Sequence, residues 1–252
     1  MPSNPAKAPY LESLYIVPEN IPAERSYPFD LPFIPNLNLN LDAPITFLVG
    51  ENGSGKSTVL EAIADLCGYN IGGGGREEVM EHTETSRLAS ALRPRFRRRP
   101  KSGFFFRAET LFNFANLLDE RKKDPDFSGD PYSRYGGNSL HTRSHGESFL
   151  TVFKNRIQEG LFLVDEPEAA LSPQRQLSLL SLLADRVARG NTQFIIATHS
   201  PILLTYPNAR IIDFETEDLR EVSLKETKHY QLTKGMLDHP EEYWRHLISQ
   251  QD

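Results

Sequence analysis

Short apolar runs and amphipathic stretches alternate along this chain from residue 45 to residue 201. The runs at 45–49, 103–109, 161–167 and 193–201 are too short for buried helices and lack the alternation of half-exposed strands. They predict strands covered on both faces. The last three each end in a polar cluster. Between the runs, 59–66, 110–123, 149–158 and 173–189 place apolar residues on one helical face, as Leu111, Phe114, Ala115 and Leu118 illustrate. Strand and helix in alternation predict an α/β fold with a mostly parallel central sheet. The start of the chain differs. Leu37, Leu39 and Leu41 alternate with polar residues, and with a second strand at 11–17 the stretch 36–41 predicts an N-terminal antiparallel β subdomain.

Four glycines at 72–75 predict a flexible connection over 71–75, followed by a helical stretch with acids at 76–92. The run from Arg93 to Lys101 is the strongest charge feature. It offers contacts to nucleic-acid phosphates, with Phe96 interleaved for stacking, although such runs more often are solvated loops. Residues 124–138 predict a surface loop. Tyr230, Leu232, Met236, Leu237, Tyr243, Trp244 and Leu247 suggest that about 226–252 is a helical cap on the core, with a partner surface as the other reading. One domain spanning 1–252 accommodates all of this. The net charge of −6 argues against a surface wholly devoted to nucleic acid, and the single cysteine, Cys67, suits a reducing compartment. With no apolar run of membrane-spanning length and no export signal, a soluble cytoplasmic protein without membrane insertion is expected.

Chemistry enters at Gly50-Glu51-Asn52-Gly53-Ser54-Gly55-Lys56-Ser57-Thr58, which has the phosphate-loop spacing G-x-x-x-x-G-K-[ST] between a strand and a helix. The glycines let successive N–H groups turn inward as an anion nest, and the helix opening at Lys56 adds its positive dipole end. Lys56 offers a cation to the outer phosphates, and the Ser57 hydroxyl suits Mg²⁺. A bound nucleoside triphosphate follows. Tyr27, Phe29 and Phe33, set among Pro28, Pro32 and Pro35, could stack on its base, but a small core of the β subdomain is the preferred reading. Asp165 and Glu166 close an apolar strand, where the first can hold Mg²⁺ through water and the second can activate a water. His199 ends a strand expected beside that one, within reach of a γ-phosphate. Ser144-His145-Gly146-Glu147 opens the next amphipathic helix, with an ordinary N-cap as the plain alternative to anion binding.

In this order the motifs resemble those of the ABC-type ATPases, especially the soluble branch of chromosome-maintenance and RecF-like proteins. More narrowly, Phe104 to Glu109, Ser144 to Leu150 and the C-terminal stretch from His229 to Pro240 resemble a group of small stand-alone bacterial AAA-family ATPases. The resemblance implies a P-loop NTPase with Walker A at 50–58, Walker B at 161–166, a switch histidine at 199, and a short helical insertion at about 110–148 carrying the signature. It assigns Asn52, Gly53, Ser54, Gly55, Lys56, Ser57 and Thr58 to ATP, Ser57 with Asp165 to Mg²⁺, and catalysis to Glu166, His199 and Lys56. It also implies a head-to-tail homodimer in which Ser144 and Gly146 of one subunit complete the site of the other. Three departures stand out: Arg143 and His145 in the signature, Glu109 where a metal-contacting glutamine is usual, and Ser172 where an aspartate is usual. About 35 residues separate Glu109 from Ser144 without heptads, so no coiled-coil arms are expected. A DNA-related task is one expectation. A nucleotide-gated module with negligible turnover and a transporter ATPase with a separate membrane subunit are the others.

Overall fold

The computed structural model describes residues 8–76, 85–127, 129–133, 135–142 and 144–249. In chain order its strands are β1 (Leu11–Ile16), β2 (Asn38–Asn40), β3 (Ile45–Val49), β4 (Leu92–Phe96), β5 (Gly103–Arg107), β6 (Gly160–Asp165), β7 (Thr192–Ala197), β8 (Arg210–Asp213) and β9 (Arg220–Glu221). Its helices are α1 (Lys56–Cys67), α2 (Leu111–Lys123), α3 (His145–Arg156), α4 (Pro173–Ala188), α5 (Lys228–Asp238) and α6 (Pro240–Ser249).

The central sheet runs β5-β6-β7-β3-β8-β9, parallel except for β9. Every residue of β3, β6 and β7 is buried, because helices cover both faces. Alternate side chains feed two separate cores. Leu48, Phe105, Leu161, Leu163 and Ile195 pack with α1 and the N-terminal subdomain. Phe47, Phe104, Phe106, Phe162 and Phe194 pack with α2, α3 and α4. The second core is built from aromatic rings in sequence, Phe106 to Phe153 at 5.0 Å, Phe153 to Phe194 at 6.1 Å and Phe194 to Phe162 at 5.7 Å.

The antiparallel subdomain is a sheet of order β2-β1-β4. One side chain fastens it to the central sheet. Gln193, buried on β7, accepts from the backbone N–H groups of Tyr10 and Leu11 and donates to the carbonyls of Leu11 and Leu41, all at 2.8 Å. Phe29 and Phe33 are buried in the core beneath this sheet, as preferred, whereas Tyr27 is 58% exposed.

Several expectations need correction. The glycine stretch is not a flexible connection: Gly74 exchanges backbone hydrogen bonds with Phe105, 2.9 and 3.0 Å, and extends the edge of the sheet. The basic run does not begin as a loop. Leu92, Pro94 and Phe96 turn inward while Arg93 and Arg95 face out on β4, an edge strand, where proline's missing N–H costs no ladder bond. Arg95 and Arg97 are paired with Glu12, Arg97 also reaches Asp42, and Arg99 lies over the Phe96 ring. The stretch expected to be helical at 76–92 ends in a single 3-10 turn, Leu88–Ala91; residues 77–84 lie outside the described ones. Helix α3 opens at His145, not at 149, because Ser144 and Glu147 form a capping box. The C-terminal segment is helical, but Leu232, Leu237, Trp244 and Leu247 are exposed and do not cap the core.

Candidate active site

The site gathers at the C-terminal ends of β3, β6 and β7, where an open parallel sheet presents its crevice. After β3, Gly50 and Gly53 take positive φ, and Gly55, at φ 92°, is the N-cap of α1. A Cβ on Gly55 would sit 2.9 Å from the Phe33 ring, so loop and subdomain meet without room for a side chain. A Cβ on Gly53 would meet nothing, since the loop tip faces open space. No side chain caps α1 and no acid stands in its first turn, leaving its N–H groups and dipole to an anion.

Lys56 is buried against this loop. Its Nζ donates to the carbonyls of Gly50 at 2.7 Å and Glu51 at 2.9 Å, and to Ser54 Oγ at 3.4 Å. Desolvation lowers its pKa from the usual lysine value, partly offset by Glu166 and Asp165 nearby. Ser57 Oγ donates to Asp165 Oδ1 at 3.0 Å. Burial pushes the Asp165 carboxyl up to about 6 against the opposing pull of Arg107 and Ser57. Arg107 stands opposite Asp165 in the β5–β6 register, with Nε 3.6 Å from Oδ2, while its Nη1 reaches Glu61 at 2.6 Å.

Glu166 has φ 45° and ψ 56°, a left-handed conformation unusual for any residue but glycine. Its Oε1 lies 3.1 Å from His199 Nε2. The His199 backbone N–H donates to Glu168, and its Nδ1 lies 3.2 Å from His229 Nε2. A cavity of about 250 Å³ joins Tyr27, the loop, Glu109 and Glu166. Tyr27 shares a hydrogen bond with Thr58 at its rim. Glu109 is exposed there.

Thus the geometry brings together Asn52–Thr58, Asp165, Glu166, His199 and Glu109. Ser144 and Gly146 do not line this cavity. They open α3, where Arg175 donates to Ser144 Oγ at 2.9 Å and pairs with Glu147 at 3.1 Å. Tyr27 lines the cavity, although the sequence favours it as core, while Arg107 and His229 fall in stretches that carry the family resemblance without a role being assigned to them, and Arg175 falls outside every motif. Ser57 and Asp165 offer hard oxygens close together, and among the described residues no group of three His, Cys, Asp or Glu could cage a metal. That donor set fits Mg²⁺, which takes one or two protein oxygens and fills its shell from phosphates and water.

A glycine loop between a buried strand and a helix, with acids and histidine on the two neighbouring strands, is the arrangement of a P-loop ATPase, and the similarities that follow support the ABC type. Comparison with known proteins agrees. Residues 84–205 match the family model described as "AAA domain, putative AbiEii toxin, Type IV TA system", and residues 25–123 match one described as "AAA domain". The chain is 25% identical over 229 residues to the phosphonates import ATP-binding protein PhnC 1 of Pseudomonas aeruginosa, covering 76% of this chain and 81% of that one. It is 26% identical over 185 residues to the cobalt import ATP-binding protein CbiO of Salmonella paratyphi A, covering 68% and 67%. An SMC head bound to the C-winged helix domain of ScpA shares the fold at a TM-score of 0.51 and 13% identity, covering 86% of this chain and 99% of that one. Among the described residues no helix is long and apolar enough to cross a membrane.

Proposed function

We propose that the chain is a magnesium-dependent ATPase that works as a head-to-tail pair closing over two ATP molecules. The observation that carries this reading is the convergence of Lys56, Ser57, Asp165, Glu166 and His199 on one open loop tip. Lys56 exchanges its carbonyl partners for phosphate oxygens, a favourable trade for a desolvated ammonium. Ser57 and Asp165 would hold Mg²⁺, which when bound would supply positive charge against the phosphates. Glu166 orients the attacking water and takes its proton, and the His199 Nε2–H holds that carboxylate in place. Tyr27, exposed at the cavity rim, offers its ring to the adenine.

The dimer is supported by the position of α3. Its N-terminus lies outside its own cavity with Ser144 exposed, and Arg175 holds both Ser144 and the capping Glu147 there, so a partner's phosphate could be met by Ser144 and by Arg175 released from Glu147. The names of the relatives, ATP-binding proteins, support ATP as the nucleotide.

Glu166→Gln tests all of this. It should cut steady-state hydrolysis by roughly 100-fold or more while ATP shifts the protein to dimer mass on a sizing column. Hydrolysis at the wild-type rate would remove Glu166 from the mechanism, and a monomer at saturating ATP would remove the dimer.

A second reading, the ATPase subunit of an importer, follows from the relatives' names. It requires a separate membrane subunit, and stable fractionation of the expressed protein with membranes would favour it. Nucleic acid enters neither reading, because Arg95 and Arg97 are already engaged by Glu12 and Asp42. Salt-sensitive DNA or RNA binding lost on replacing Arg93, Arg95, Arg98 and Arg99 by Ala would restore it.

A further inference from the structure

We propose that His229, at the start of α5, is a positioning residue: it holds the His199 ring with Nε2–H turned toward Glu166. What Glu166 does rests on the ATPase reading, but the placement of the three side chains does not depend on it. Glu166 Oε1, His199 and His229 form a continuous chain, with 3.1 Å from Oε1 to Nε2 of His199 and 3.2 Å from Nδ1 of His199 to Nε2 of His229. The two imidazole rings meet edge-on, at 90° with centroids 4.9 Å apart.

With both imidazoles neutral, the donor inventory leaves one arrangement. An ionised carboxylate only accepts, so the hydrogen on His199 sits on Nε2. A neutral imidazole has a single N–H, which leaves Nδ1 of His199 as an acceptor. His229 therefore donates from Nε2. The opposite tautomer of His199 would set a lone pair against the Glu166 carboxylate. With the backbone N–H of His199 already given to Glu168, ring rotation and tautomer are the freedoms left, and His229 restrains both.

The start of α5 is well placed to bear on the site. Thr227 is buried and its hydroxyl oxygen accepts the Tyr230 N–H. Lys228 pairs with Glu215 at the edge of a second cavity, about 550 Å³, which borders the phosphate loop at Glu51–Ser54. The C-terminal helices thereby touch the loop's surroundings on one side and the histidine on the other. A shift of α5 would release the His199 ring.

Two variants of the full chain test this. His229→Phe keeps the ring and removes the donor; His229→Gln replaces the imidazole Nε2–H by an amide N–H at similar reach. In ¹⁵N-resolved histidine spectra, wild-type His199 should be a single Nε2–H tautomer, His229→Phe should mix the two, and His229→Gln should restore one. In steady-state assays His229→Phe should lower kcat about tenfold with KM for ATP changed less than about twofold, as expected for loss of one hydrogen bond to the reacting arrangement. His229→Gln should recover most of that loss. A mixture of tautomers in the wild type, an unchanged spectrum and kcat in His229→Phe, or equal losses in both variants would overturn the proposal. Should the wild type fail to hydrolyse ATP, the ATPase reading falls and the spectra alone still decide the role of His229.

Discussion

A carboxylate that takes a proton from water gains from being held still, and Glu166 is held by its backbone as well as by His199. Its left-handed φ costs about 1 kcal/mol relative to the ordinary helical region, which the turn bonding Glu166 to Ala169 makes bearable. Such a strained residue at the end of a buried strand points to use and not accident. Lys56→Ala should weaken ATP binding at least tenfold, measured by titration calorimetry, since it removes the only side-chain cation donating into the loop among the described residues. Cys67 gives an independent check on packing. Burial raises its thiol to about 12, so at pH 8 almost none is thiolate, and a disulfide reagent should react only after unfolding. Labelling of the native protein within minutes would show that α1 is less enclosed than described. The motif residues were legible because phosphate and metal chemistry admit few side-chain types at fixed spacing. Arg107 was not, because its role appears only when register sets it opposite Asp165.

The central strands were legible for a reason that does not extend to the edges. Runs buried on both faces have no choice but to be apolar, whereas β8 has only Ile211 and Ile212 and β9 only two exposed residues. β4 carried a readable alternation of Leu92, Pro94 and Phe96, hidden beneath the arginines between them. Two glycines show how tightly the edge pair β5–β6 is built. A Cβ on Gly103 would lie 1.9 Å from the Tyr69 hydroxyl and 2.2 Å from the Leu161 carbonyl. One on Gly160, at φ 130°, would lie 1.9 Å from the Ser102 carbonyl. Either glycine replaced by alanine should destabilise by about 3 kcal/mol or more in urea unfolding; a loss under about 1 kcal/mol would mean the strand ends relax freely. Gln193→Leu should cost about 2–4 kcal/mol, because it strands buried backbone groups at Tyr10, Leu11 and Leu41 that water cannot reach. An unchanged midpoint would mean that those groups find other partners.

At the scale of the whole molecule, the proposed pairing makes the candidate site half of a shared one. The phosphate loop is open at its tip, and the N-terminus of α3, where Arg175 holds Ser144 and Glu147, lies outside its own cavity. Arg175→Ala should therefore weaken the ATP-dependent dimer of the Glu166→Gln protein by about tenfold, read by sedimentation over a concentration series, with ATP affinity of the monomer unchanged. A dimer of equal strength would exclude Arg175 from the closing surface. Parts of the chain will not share this motion equally. The strand whose last turn leads to His199 begins beside the glutamine that rivets the small sheet in place. If ATP draws two copies together, switch and subdomain would move as a single plate, leaving the adjustment to α2 and α3. Backbone hydrogen exchange slowed by ATP in α2 and α3, with β1 and β7 unmoved, would be the mark of a machine in which the frame keeps time and only the arm swings.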